Sequence, residues 1–155
     1  MEFKAMLEVP EFLSPKQVDQ VRALLEKRNP QHTYIQLFCE MPEVLTVLQQ
    51  ALAESKLPYA IADPRLTLSW HPSKRTIGPH RDTRFGNSTH KLTVCIQAAE
   101  RGGSTIFYTA LNGAETGRAQ HQPGKAVIFN LDEWHSGEPG AHGTKILIGV
   151  KLVGR

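Results

Sequence analysis

The sequence predicts a mainly β protein with helices at its N-terminus: two helices, then a barrel or sandwich of about seven or eight short strands. Three observations predict it. Apolar residues recur at helical spacing before residue 60, and the spacing changes to two after Ala62-Asp63-Pro64. Turn-forming pairs such as Gly102-Gly103 and Pro123-Gly124 then punctuate the chain at short intervals.

Residues 1–60 read as the mainly helical part. Ser14 can cap a helix, Pro15 suits its first position and Gln17 completes an S-x-x-Q box. Val18, Val21, Leu24 and Leu25 follow as an apolar stripe, which Asn29-Pro30 ends. Thr33 to Phe38 fits a short strand. Pro42-Glu43 opens a second helix carrying Val44, Leu45, Leu48, Ala51 and Leu52 on one side. Residues 66–153 read as the barrel core. Leu66 to Trp70 alternates, as does Lys91 to Gln97 with Leu92, Val94 and Ile96 on one face. Ser104 to Tyr108, Ala126 to Asn130 and Lys145 to Val153 are further β-rich runs. Leu111 to Gln122 is polar and contains glycine, which predicts a loop or lid.

The 155 residues are expected to form a single domain, 1–155, with enough chain to bury a core. Net charge is +3 with the histidines neutral, and the sequence pI is about 9.0. That mild excess fits a basic pocket for an acidic ligand. It does not mark a nucleic-acid platform, and no aromatic residues interleave a basic stripe. Cys39 and Cys95 form no CxxC pair or zinc spacing, and no apolar run is long enough to span a bilayer. A cytoplasmic protein is the expectation.

The chemistry-bearing residues are His80, Asp82, His135 and Lys145. His80-Arg81-Asp82 is an H-x-D triplet on an extended segment, where positions i and i+2 face the same way. His135 follows fifty-odd residues later, and Lys145 stands ten beyond it in the last predicted strand. Two imidazoles and one carboxylate with open positions opposite form the facial triad of non-heme Fe(II) oxygenases. A lysine at that offset can bind the carboxylate of an organic acid on the metal.

The segment His135-Ser136-Gly137-Glu138-Pro139, followed by Gly143-Thr144-Lys145, resembles the distal signature of the prolyl 4-hydroxylase-like branch of 2-oxoglutarate/Fe(II) oxygenases, H-x-G-x-P then G-x-K. Gly102-Gly103-Ser104-Thr105-Ile106-Phe107 is similar to its G-G-x-T-x-F segment. Pro123-Gly124-Lys125-Ala126 through Phe129 resembles its proline-then-G-x-A strand, with proline and glycine adjacent here. Phe12-Leu13-Ser14 resembles its helical entry.

The resemblance implies a double-stranded β-helix, a jelly-roll or cupin-like barrel, packed against two or more helices. It implies a 2-oxoglutarate-dependent dioxygenase that hydroxylates an aliphatic carbon of a small molecule, amino acid or peptide or protein side chain, prolyl included. His80, Asp82 and His135 would hold Fe(II). Lys145 would bind the distal carboxylate of 2-oxoglutarate, with hydrogen bonds from Thr105 and His71; O2 is the oxidant and ascorbate a candidate reductant. His71 stands where the family often has a tyrosine; an imidazole there can still donate a hydrogen bond, and it can also titrate near neutrality. Asp82 argues against the halogenase variant, which has a small residue there. The R-x-N-x-T-x-R tail of the nucleic-acid demethylases is missing.

For the substrate, Arg81, Arg84, Tyr34 and Trp134 are the candidates, with Gln36 at the mouth. Lys74, Arg75, Lys91 and Arg101 complete a basic cluster around the H-x-D motif. A small acid or short peptide is expected, and neither nucleic acid nor membrane. The alternative is a non-catalytic metal-binding β-barrel that acts as a sensor or interaction module.

Overall fold

The structure, a computed structural model, describes residues 6–31 and 35–155. Helix α1 (Pro15–Arg28) begins where its caps dictate. The Ser14 hydroxyl accepts from the Gln17 N–H at 3.2 Å, and the Gln17 side chain accepts from the Ser14 N–H at 2.9 Å. The helix stops at Asn29, whose N–H still reaches the Leu25 carbonyl. Helix α2 (Pro42–Ser55) starts on Pro42 and ends at Lys56, in the left-handed region with φ 58°. Each buries one stripe: Val18, Val21 and Leu25 on the first, Val44, Val47, Leu48, Ala51 and Leu52 on the second.

The strands are β1 (Met6–Val9), β2 (Gln36–Glu40), β3 (Tyr59–Ile61), β4 (Arg65–His71), β5 (Ile77–His80), β6 (His90–Gln97), β7 (Arg101–Gly102), β8 (Thr105–Tyr108), β9 (Glu115–Ala119), β10 (Ala126–Asn130), β11 (Trp134–Gly137), β12 (Gly140–Ala141) and β13 (Lys145–Gly154). All pairings among them are antiparallel. The major sheet runs β1-β10-β6-β13-β4-β2, with β3 joined to the end of β13. The minor sheet runs β5-β11-β8-β9, and β7 pairs with β12. This is the jelly roll expected from the sequence, with both helices against the major sheet.

The core lies between the helices and that sheet. On β4, Leu66, Leu68 and Trp70 are buried against the helices, while Thr67, Ser69 and His71 point into the barrel. Strands β6 and β13 repeat the pattern. Leu92, Val94, Ile96, Ile146, Ile148, Val150 and Leu152 join the helical core, and Lys91, Thr93, Lys145, Leu147 and Gly149 face the barrel interior. Each fully buried leucine or isoleucine contributes roughly 1.5–3 kcal/mol. Between the sheets the apolar packing is small: Phe107, Ala119, Val127 and Phe129, with the two phenylalanine rings edge to face at 5.3 Å. The rest of the interior is a cavity of mixed lining, with Leu147 and Ile77 among polar side chains. At Gly124 (φ 89°) a Cβ would come within 2.5 Å of the Leu13 carbonyl, so only glycine lets the segment entering α1 lie against the turn before β10.

The first sixty residues carry the two expected helices, and they also supply β1 and β2 to the major sheet and the start of β3. Two sequence expectations need correction. Ten strands follow residue 62, not seven or eight. Leu111 to Gln122 is not simply a loop, since β9 within it pairs with β8 along the edge of the minor sheet. Its residues are mostly exposed, so no apolar alternation marks it. Among the described residues, no helix is long and apolar enough to cross a membrane.

Candidate metal centre and its cavity

His80 ends β5 and His135 lies near the start of β11, and the antiparallel register sets the two directly opposite each other. Their rings are 4.3 Å apart between centroids. Asp82 lies two residues past the end of β5 and turns back toward both. Its Oδ1 is 3.8 Å from His80 Nε2 and its Oδ2 is 3.3 Å from His135 Nε2. One ligand atom from each residue lies within 4.8 Å of the others.

The hydrogen bonds fix which nitrogens face inward. His80 Nδ1 is 2.9 Å from the Gly78 carbonyl, and His135 Nδ1 is 3.0 Å from the Glu133 carbonyl. A carbonyl only accepts, so both Nδ1 atoms carry hydrogen and both Nε2 atoms present a lone pair to the centre. Burial pushes the Asp82 carboxyl up, but its neighbours, the Lys91 ammonium first among them, pull it down further, and the balance lies below the usual carboxylate range. Burial, ahead of the opposing pull of Asp82, holds His135 below an ordinary imidazole. Asp82 Oδ2 is buried without a hydrogen-bond partner. Two lone pairs and a carboxylate converging in a half-dry pocket repel one another unless a cation joins them. The donor set therefore fits a divalent metal in its charge, its protonation and its orphaned oxygen.

Lys91 braces the carboxylate. Its Nζ is 3.3 Å from Asp82 Oδ1, and its stem crosses Gly149, where a Cβ would sit 2.7 Å from Lys91 Cε.

Lys145 opens β13 opposite His71 on β4. It is 5% exposed, and its Nζ donates to the Gly103 carbonyl at 2.7 Å. Gly103 sits at φ 76°, open to glycine, and a Cβ there would touch the lysine stem at 3.5 Å. Burial lowers the Lys145 pKa, with partial recovery from Cys95 and Glu138. The Cys95 thiol is itself pushed up to about 12 by burial, so it stays neutral. Glu138 makes its ion pair with Arg118. The ammonium is left with one carbonyl and, among the described residues, no carboxylate in ion-pair reach.

Of the two roles open to His71, hydrogen bonding and titration near neutrality, the surroundings favour the first. Burial, Lys145 and Arg75 lower it to about 4, so it is a neutral hydrogen-bonding group. Thr105 Oγ1 lies 2.8 Å from Nε2 of His121, which burial holds neutral with a pKa of about 3. A cavity of about 430 Å³ joins the His80–Asp82–His135 cluster to Lys145, His71 and Thr105.

The substrate candidates divide. Gln36 and Arg75 line this cavity. Arg84 does not; it pairs with Asp132 at 2.6 Å and reaches the Ser88 carbonyl at 3.2 Å. Arg81 stacks on the Trp134 ring, 4.7 Å from its centroid, and neither lines the cavity wall. Tyr34 lies outside the described residues. Sequence reasoning missed Thr67, Ser69, Thr93 and His121. The first three were legible as the polar half of each alternating strand, had that half been read as cavity wall and not as solvent face.

No protein-family model matches the chain, and no curated protein does. Solved structures do. The viral collagen prolyl hydroxylase of Paramecium bursaria Chlorella virus-1, in complex with 2-oxoglutarate, superposes with a TM-score of 0.73 at 19% identity, over 96% of this chain and 95% of that one. A Pseudomonas putida prolyl-4-hydroxylase gives 0.67 at 15% identity, over 95% and 91%. The non-heme α-ketoglutarate-dependent carbocyclase SnoK from nogalamycin biosynthesis gives 0.69 at 13%, over 96% and 80%. The chain thus shares the fold of 2-oxoglutarate-dependent oxygenases over almost its whole length.

Proposed function

We propose that the protein is an Fe(II)- and 2-oxoglutarate-dependent dioxygenase that hydroxylates an aliphatic carbon of a small molecule, amino acid or peptide side chain. One observation carries the reading: a single cavity holds three converging ligand atoms at one end and a buried ammonium without a carboxylate at the other. 2-Oxoglutarate needs those two features together. The fold shared with oxygenases of known chemistry supports it.

His80, Asp82 and His135 would hold Fe(II), and Lys145 would receive the distal carboxylate of 2-oxoglutarate, with Thr105 and neutral His71 as hydrogen-bond partners. When bound, the iron and cosubstrate supply the oxidising power to functionalise a C–H bond, with O2 consumed and succinate and CO2 released. This chain's residues supply position, charge and dryness. The two Nδ1–H···O=C bonds keep the imidazoles oriented. Lys91 holds the carboxylate against rotation. Phe107 and Phe129 pack against His135 on its other side, at 6.1 and 4.8 Å between ring centroids, and keep water from it.

The test is succinate formation from 2-oxoglutarate by the Fe(II)-loaded protein across a panel of amino acids and short peptides, with His135→Ala as control. Turnover that depends on His135 supports the reading. Binding of metal and 2-oxoglutarate with no succinate from any substrate would instead mark a non-catalytic sensor.

A further inference from the structure

Arg75 is a cation in the cavity that the chemistry above does not use. It sits on the turn Pro72-Ser73-Lys74-Arg75 between β4 and β5, closed by its own N–H to the Pro72 carbonyl at 3.2 Å. The turn is anchored: the Lys74 N–H donates to the Gly140 carbonyl at 2.9 Å. Arg75 is half-buried and lines the cavity, with Ile77, Gly78 and His80 following it on the same wall. Its Nε is buried without a hydrogen-bond partner, and its guanidinium makes no ion pair among the described residues. Arg81, Arg84, Arg65 and Arg118 all have partners by contrast.

Charge counting says what it is for. Three cationic side chains line the cavity, Arg75, Lys91 and Lys145, against one carboxylate, Asp82. Lys91 is neutralised by Asp82. The dianionic cosubstrate would balance Lys145 and part of the metal's charge. A divalent metal, the dianion and the three lysine and arginine side chains with Asp82 still leave the cavity net positive. A cavity with uncompensated positive charge and an open guanidinium fork attracts a second anion.

Resting on the oxygenase reading, we propose that Arg75 is the receptor for an anionic head group, carboxylate or phosphate, of the prime substrate. It sets the substrate class: a small aliphatic molecule bearing one such group, held by that group while a carbon further along reaches the centre. The fork geometry of arginine favours a planar bidentate carboxylate over a neutral amide or ester.

The test uses wild type, Arg75→Met and Arg75→Lys, each loaded with Mn(II) and 2-oxoglutarate and titrated calorimetrically. The probes are aliphatic amino and monocarboxylic acids with their methyl esters, and alkyl phosphates with the matching alcohols. The expectation is at least one anion bound tenfold or more tighter than its neutral counterpart by wild type. The preference should vanish in Arg75→Met and partly return in Arg75→Lys, and the two probe arms decide between carboxylate and phosphate. Mn(II) and 2-oxoglutarate affinities should stay within threefold. Tenfold weaker 2-oxoglutarate binding by Arg75→Met would overturn the assignment, because Arg75 would then serve the cosubstrate. So would a panel in which no anion beats its neutral partner. If wild type with Mn(II) fails to bind 2-oxoglutarate at all, the oxygenase reading falls first and this one with it.

Discussion

Replacing Lys145 by methionine removes the ammonium while keeping a side chain of similar length. In wild type the group is 5% exposed, so a carboxylate brought to it exchanges little water and gains a charge-assisted hydrogen bond in a dry site. Such a bond is worth about 1.5–3 kcal/mol. At about 1.4 kcal/mol per decade, 2-oxoglutarate binding to the Mn(II) protein should weaken roughly ten- to a hundredfold. Mn(II) affinity itself should hold, since Lys145 touches none of the three candidate ligands. Two terms in the protein's own stability oppose each other: a buried charge is removed, but the Gly103 carbonyl loses its donor. The midpoint of thermal unfolding should therefore move little. A pH arm sharpens the case. Burial lowers the Lys145 pKa, and only the protonated form attracts the dianion, so wild-type affinity should fall as pH rises, beginning below the 10.5 of a free lysine. The variant should lack that dependence. Calorimetric titration measures both affinities and their pH dependence, and a thermal melt gives the unfolding midpoint. A change in 2-oxoglutarate affinity under threefold, or a parallel loss of Mn(II) affinity, would refute the reasoning.

Lys91→Met leaves Asp82 Oδ1 without its brace, and Mn(II) affinity should fall about 10- to 100-fold as for other outer partners of metal ligands; unchanged affinity in a metal titration would show the ion pair to be irrelevant. His71 and His121 are held neutral down to about 4 and about 3, against about 6.5 in an unfolded chain. Below pH 6.5 the unfolded state binds more protons, so metal-free stability should fall as pH drops from about 6.5 toward 4, and His121→Gln should flatten the slope. A wild-type unfolding temperature that stays level from pH 7 to 5 would contradict this. Gly124→Ala forces a Cβ against the Leu13 carbonyl at a positive φ and should destabilise by about 1–3 kcal/mol, read by denaturant unfolding; a neutral effect would mean the α1 entry is free to shift. Leu48→Ala, at a site 1% exposed, should lower stability by about 2–5 kcal/mol without altering Mn(II) binding.

The sequence carried the cluster well because its residues are close along the chain or tied by a fixed offset. H-x-D puts two of the three on one strand end, and the ten-residue interval from His135 to Lys145 spans two strands that the fold brings to one cavity. Helix caps were legible because Ser14 and Gln17 act within one turn. What stayed hidden depends on long-range register. Strand β9 has no apolar alternation, since only Ala119 is fully buried, and it exists because β8 offers it an edge. His121 meets Thr105 only through that pairing. The pKa of His71 reflects burial first and then two cations, Lys145 across the sheet and Arg75 on the turn that follows it. Arg84 is a substrate candidate by its place beside the H-x-D motif, but Asp132, forty-eight residues away, pairs with it instead.

Strand β4 keeps its two jobs on opposite sides. Leu66, Leu68 and Trp70 hold the helices, while Thr67, Ser69 and His71 shape the cavity wall. A change on the cavity side removes no apolar contact from the helical core, so selection can retune what the cavity accepts while thermal stability stays nearly constant. A library confined to Thr67 and Ser69 would therefore reshape the cavity wall with few unfolded members, and would spare His71 beside Lys145.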